Sequence, residues 1–160
     1  MNIYIINNPF HYEIENLTRA FFNNEKMNVI KCDKNVNREK PFVAIELIKH
    51  EKDSDIIVSF ADEDFEKTLS KKIDGEFDSE YSECERMAAI MLFEILSEYT
   101  GIRLPWGILT GVRPIKLLHN LVRELGTDGA DKYFREKLLV TEQKTKLALT
   151  TAVSYTHLRA

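Results

Sequence analysis

The sequence is poor in the residues that most metal and nucleophilic chemistry requires. Its 160 residues hold two cysteines, four histidines, six glycines and one tryptophan. Cys32 and Cys84 stand 52 positions apart, which is no metal-ligand spacing. They read as buried free thiols of a reducing cytoplasm, with a disulfide as the unsupported alternative. His11, His50, His119 and His157 show neither H-x-x-H nor H-E-x-x-H spacing and have no acidic companion at ligand distance. His50 reads as solvated in a turn and His119 as lining a helix surface. No Gly-rich loop ends in Lys-Ser or Lys-Thr, and Gly107 and Gly111 are wrongly spaced for a dinucleotide fingerprint. No apolar run approaches membrane-spanning length, and the N-terminus lacks the basic-then-apolar layout of a secretory leader. Repeats and low-complexity segments are missing too. These absences exclude a P-loop enzyme, a zinc ribbon and a membrane span.

What is present suits a packed core, with 44% hydrophobic and 10% aromatic residues. The net charge of −4 hides an asymmetry. Residues 1–99 carry 12 Lys/Arg against 21 Asp/Glu, whereas residues 100–160 carry 10 against 5. The acidic part argues against nonspecific nucleic-acid binding, and the basic part suits an anionic ligand or an acidic surface. Solvation of helix faces explains the same charges.

Hydrophobic periodicity predicts a small α/β unit followed by helices. Met1–Ile6 reads as a strand, Phe10–Phe22 as a helix and Met27–Cys32 as a second strand. Pro41–Lys49 and Asp55–Phe60 read as a β-hairpin around the polar turn His50–Ser54. Phe65, Leu69 and Ile73, four apart, predict a short helix from Glu63 that Asp74-Gly75 ends. The acidic run Asp62-Glu63-Asp64 reads as its solvated start or as a lure for a cation. Ser82–Tyr99 predicts the longest helix, with Ser82 and Glu85 at capping-box spacing and Gly101 at the left-handed C′ position. Pro114–Leu125, Asp128–Leu138 and Thr141–Ala152 predict three more, with Thr127 and Thr141 as N-caps. The fold class that follows is α+β, with a mixed sheet of about four strands.

The segment Leu104–Leu118, LPWGILTGVRPIKLL, combines residue types that ordinary packing does not request together. Gly107 and Gly111 suggest backbone angles closed to other residues, and Pro114 suits a first helical position. Arg113 and Lys116 place positive charge beside the free N–H groups of a helix start, the makings of an anion site. Lys116, Asn120 and Arg123 fall on one helix face, and Leu117, Leu118, Leu121 and Leu125 on the other. A Gly/Pro-rich connector between packed helices accounts for the same residues.

Cys84–Leu118 also resembles the region before the catalytic domain in the oxygen-independent coproporphyrinogen III oxidase-like radical SAM family, in its HemZ-type coproporphyrinogen dehydrogenase branch. The shared pattern is an amphipathic helix ending in Thr-Gly, then Leu-Pro-Trp-Gly, then Leu-Thr-Gly-Val-Arg-Pro and a Lys. The likeness continues through Tyr133–Leu149 and is weaker, in element order alone, across residues 1–80. It implies a partial barrel bearing a 4Fe–4S cluster that cleaves S-adenosylmethionine to start oxidative decarboxylation of a porphyrinogen's propionates. The sequence departs from that pattern, because it contains no CxxxCxxC.

The organisation that follows is an accessory α/β domain over 1–100 and a helical linker over 101–152 leading to a barrel outside this sequence. Residues 153–160, VSYTHLRA, read as a tail of non-native character, in which case His157 and Arg159 carry no function; a frayed natural C-terminus is the alternative. The resemblance gives Trp106, Gly107, Thr110, Gly111, Arg113 and Lys116 a substrate-binding or domain-bracing role, with Arg113 and Lys116 near a propionate. It assigns no catalytic residue and no cofactor to the chain itself. The partner it implies is the protein's own barrel. A non-catalytic RNA- or protein-binding module is the alternative from another class.

Overall fold

The chain is described by a computed structural model covering residues 1–34, 36–111 and 113–159, with side chains through Ser154. Val112 of the Trp-Gly-Arg-Pro motif, and the side chains of His157 and Arg159, lie outside the described residues. The fold class is α+β, and the residues divide into two compact units, Met1–Ile102 and Arg103–Ala160.

The first unit is a five-stranded mixed sheet in the order β2-β1-β3-β4-β5. β1 (Asn2–Ile6) pairs in parallel with β2 (Asn28–Cys32) on one side and with β3 (Phe42–Lys49) on the other. β4 (Asp53–Ala61) and β5 (Glu66–Asp74) follow antiparallel. α1 (His11–Phe21) connects β1 to β2, and α2 (Tyr81–Thr100) closes the unit.

Strand alternation assigns the two faces. Ile3, Ile5, Val43, Ile45, Ile56, Val58 and Phe60 point to one face and are at most 1% exposed. The helices cover this face: the Phe60 ring meets Phe22, just after α1, and Tyr99 of α2, while Phe21 of α1 meets Phe93 of α2 edge-on at 5.7 Å. The other face carries Tyr4, Ile6, Phe42, Ala44 and Ala61. A strap before β3 covers it: the Glu39 N–H donates to the Tyr4 hydroxyl at 2.9 Å, and the Arg38 guanidinium lies 5.7 Å from the Phe42 ring centre.

Several expectations require correction. Residues Asp62–Ile73 form no helix; they are a hairpin turn and β5. A spacing of four satisfies a helix, but it equally keeps Phe65, Leu69 and Ile73 on one side of a strand, and pairing with β4 decides. The Asp62 carboxylate accepts from the N–H groups of Asp64 and Phe65 at 3.0 and 2.8 Å, so the acidic run is a turn lock rather than a helix start. Tyr99 donates to the same carboxylate and holds its pKa below the ordinary range, while Tyr99 itself is raised. The β3–β4 turn is also tighter than expected, because Asp53 and Ser54 already belong to β4. His50 is not merely solvated there: its Nε2 lies 2.9 Å from an Asp55 carboxylate oxygen. Finally, Ser82 makes no capping hydrogen bond among the described residues. A turn at Glu76–Glu80 feeds α2 one residue earlier, with Glu80 at the N-cap position and no side-chain cap.

The C-terminal end of α2 matches its pattern: Gly101 adopts φ +70° and its N–H donates to Ser97 O at 2.9 Å. Cys84 is buried in α2, whereas Cys32 is half-buried, and both are free. Burial, with Glu13 second, pushes the Glu85 carboxyl above its ordinary value of 4.5, against a hydrogen bond with Tyr81. A raised carboxyl favours the protonated fold, so its penalty is absent below the unfolded pKa and grows as pH rises through the folded one. Glu85→Gln is therefore expected to stabilise the protein at about pH 7 and not at about pH 3. Denaturant midpoints at the two pH values check this.

The second unit is helical. α3 (Pro114–Lys132) breaks at Gly126, whose φ of 76° and ψ of 173° separate two helical stretches. A π-helical turn, Tyr133–Lys137, follows in place of the regular helix expected to Leu138. α4 then runs over Glu142–Arg159. Its Thr141 hydroxyl accepts from the Lys144 N–H at 3.4 Å, as an N-cap does. The core gathers Leu118, Leu121, Ala130, Phe134, Leu138, Val140, Ala148 and Ala152. Leu125, expected to pack with the other leucines, is 51% exposed, because the helix ends beside it at Gly126. No helix among the described residues is long and apolar enough to cross a membrane.

Candidate functional site

The segment marked by Trp106, Gly107, Thr110, Gly111, Arg113 and Lys116 lies wholly within the second unit. It opens as a compact turn, in which Gly107 N–H donates to Leu104 O and Leu109 N–H to Trp106 O, each at 3.1 Å. Gly107 adopts φ +58°. Its open side faces backbone: a Cβ there would lie 2.0 Å from Leu138 O and 2.5 Å from the Leu139 carbonyl carbon. Only glycine allows this approach.

Two hydrogen bonds then fasten the turn to the connection between the π-helical turn and α4. Ile108 N–H donates to Leu138 O and Thr141 N–H to Pro105 O, both at 3.0 Å. The facing residue, Leu139, is itself left-handed at φ +58°. Trp106 packs on the core of the unit, and the Lys144 ammonium stands 5.6 Å from its ring centre. Trp106 and Gly107 thus form a backbone clamp between two turns about thirty residues apart.

The remaining residues diverge from the clamp. Thr110 keeps a buried hydroxyl with no hydrogen-bond partner among the described residues. Gly111 is exposed at φ +67°. Arg113 sits at the N-cap position of α3 in extended conformation, Pro114 follows at the first helical position, and no side chain caps the end. Arg113 and Lys116 are both exposed, as are Asn120 and Arg123. No salt bridge among the described residues involves Arg113 or Lys116.

The donor set decides what the chain itself can hold. A cluster site needs several closely grouped thiolates. The sequence offers two cysteines, and burial followed by Glu80 and Glu83 pushes the Cys84 thiol upward, away from the thiolate form. Among the described residues no three His, Cys, Asp or Glu side chains gather as metal ligands. The residues present do not fit a 4Fe–4S cluster.

No protein-family profile matches the chain. Over 68 residues, 42% of its length, it is 29% identical to the oxygen-independent coproporphyrinogen-III oxidase-like protein HemZ of Bacillus subtilis (strain 168). That stretch spans 14% of HemZ, so the chain is HemZ-like in part and corresponds to a small portion of its relative. Among solved structures, protein VC0702 from Vibrio cholerae aligns along the whole of both chains with a TM-score of 0.30 and 14% identity. A likeness that low carries no argument about fold or function.

Proposed function

We propose that this chain serves as a non-catalytic accessory region of a HemZ-like, coproporphyrinogen dehydrogenase-type radical SAM protein. In this reading the reaction on the porphyrinogen, the iron–sulfur cluster and S-adenosylmethionine belong to a barrel outside the sequence, and the whole works in the cytoplasm. The observation that carries it is the Gly107 clamp: the glycine of the HemZ-like motif is used for a close backbone approach to Leu138 and Leu139, a structural role. The partial identity to HemZ supports the same reading. Trp106 and Gly107 brace the helical unit, and Arg113 and Lys116 form its solvated cationic shoulder. In this reading a membrane is not a partner, and the acid-rich first part disfavours nucleic acid.

The test is anaerobic reconstitution of the purified chain with ferrous iron and sulfide. The expected product after desalting has no cluster absorbance and does not cleave S-adenosylmethionine. A stable 4Fe–4S cluster on this chain would overturn the proposal.

A further inference from the structure

β1 lies between two parallel neighbours, and the order of the chain across the sheet reverses at its end. From β1 the chain passes through α1 to β2 on one side; from β2 it returns to β3 on the other. Ligands of open parallel sheets occupy the crevice outside the carboxyl ends of the strands at such a reversal. Here a crevice of about 480 Å³ lies at that place, lined among others by Ile5, Asn7, Lys31, Asp33, Lys49 and Phe77. Its volume falls within the roughly 300–1,000 Å³ of small-molecule sites.

The chemistry of the lining is specific. Asn7 and Asn8 are spent on structure: their side-chain amides donate to Leu47 O at 3.0 Å, and to Ile6 O and Ile45 O at 2.9 Å. They tie the ends of β1 and β3 into a floor. Lys31 comes from the end of β2, beside Ile5, and Lys49 from the end of β3, so the strands on either side of β1 each bring one lysine to the lining. No salt bridge among the described residues takes either lysine. The Lys49 ammonium lies 4.2 Å from the Phe77 ring centre, which steadies it at the rim. Asp33, the first residue after β2, adds a carboxylate to the same lining. In dinucleotide-binding folds, which also bind at a strand reversal, an acid about twenty residues after the first turn accepts a hydrogen bond from a ribose hydroxyl, and Asp33 stands at the comparable place. The turn after β1 reads Asn-Asn-Pro, without the glycines that let a backbone approach a pyrophosphate.

We propose that this crevice binds a small molecule carrying one phosphate and a vicinal diol, a pentose phosphate or nucleoside monophosphate. Lys31 and Lys49 hold the phosphate, and Asp33 accepts from the hydroxyls. The site belongs to the first unit and stands independently of the HemZ-like reading.

Calorimetric titration of the full chain with AMP, ribose 5-phosphate and inorganic phosphate tests it, with amide chemical-shift mapping as the second readout. AMP or ribose 5-phosphate is expected to bind saturably with a Kd at or below about 1 mM, and the tighter of the two identifies the source. Lys31→Ala/Lys49→Ala is expected to weaken that binding about tenfold or more, and Asp33→Ala to weaken it about tenfold without weakening inorganic phosphate. The shifts are expected at residues 7–8, 31–33 and 49. All three substituted side chains are exposed, and circular dichroism verifies that the variants fold. The proposal is overturned by absence of saturation with both sugar phosphates, by equal affinity for inorganic phosphate, by folded variants that bind as the parent does, or by shifts elsewhere.

Discussion

Gly107→Ala is expected to destabilise the helical unit by about 3–5 kcal/mol, with loss of its turn-to-turn clamp. Three effects combine. The added Cβ would sit 2.0 Å from Leu138 O, and the obstacle is backbone that no side-chain rotation can clear. Alanine at φ +58° costs about 1–2 kcal/mol from left-handed strain alone. Parting the two turns also breaks the hydrogen bonds from Ile108 to Leu138 and from Thr141 to Pro105, each worth about 1 kcal/mol. Gly101→Ala is the matched control, since Gly101 has φ +70° and nothing within 4 Å of the position of a Cβ. It is expected to cost only the strain, about 1–2 kcal/mol. Urea unfolding of both variants, followed by far-ultraviolet circular dichroism, separates the two values.

Phe93→Ala is expected to cost about 3–5 kcal/mol in the first unit. Phe93 is 0% exposed and meets Phe21 edge-on, so its ring joins α2 to α1 over the sheet. Removing it leaves a cavity that β-sheet and helices on either side collapse into only partly. Tyr12→Ala, at a side chain 66% exposed, is expected to stay within about 0.5 kcal/mol of the parent. Denaturant midpoints of the two variants check the contrast.

Much of this architecture was legible from periodicity, and the failures share a cause. β1, α1 and β2 follow their sequence patterns closely: α1 has one apolar face at helical spacing, and β1 is a short continuous apolar run buried on both faces, as a central strand is. The stretch that forms β5 also carries a helical pattern, because Leu69 and Ile73, with Phe65 just before the strand, fit both periods, and only the partner strand β4 chooses between them. Ser82 and Glu85 had capping-box spacing, yet the helix starts at Tyr81, where Tyr81 meets Phe77 and Phe10 and extends the first turn backwards. Local chemistry proposes a boundary, and packing moves it.

In the loop, the unusual mixture of Trp106, Gly107 and Pro114 was visible as a signal, but its partner was not. The Leu138–Leu139 backbone that excludes a side chain at position 107 lies about thirty residues away, and nothing in its own composition points back to Gly107. The Lys31, Asp33 and Lys49 crevice was invisible for the same reason. Its members are ordinary charged residues until the strand order sets them around the end of β1.

The clamp is tested most directly by amide hydrogen exchange at Ile108 and Thr141. Both N–H groups cross between the two turns, one to Leu138 O and one to Pro105 O. The account predicts that they exchange slowly and at matching protection, that Gly107→Ala removes protection from both, and that Arg113→Ala/Lys116→Ala leaves it intact. Exchange of either amide at the rate of a free peptide in the parent protein, or undiminished protection in Gly107→Ala, would contradict it.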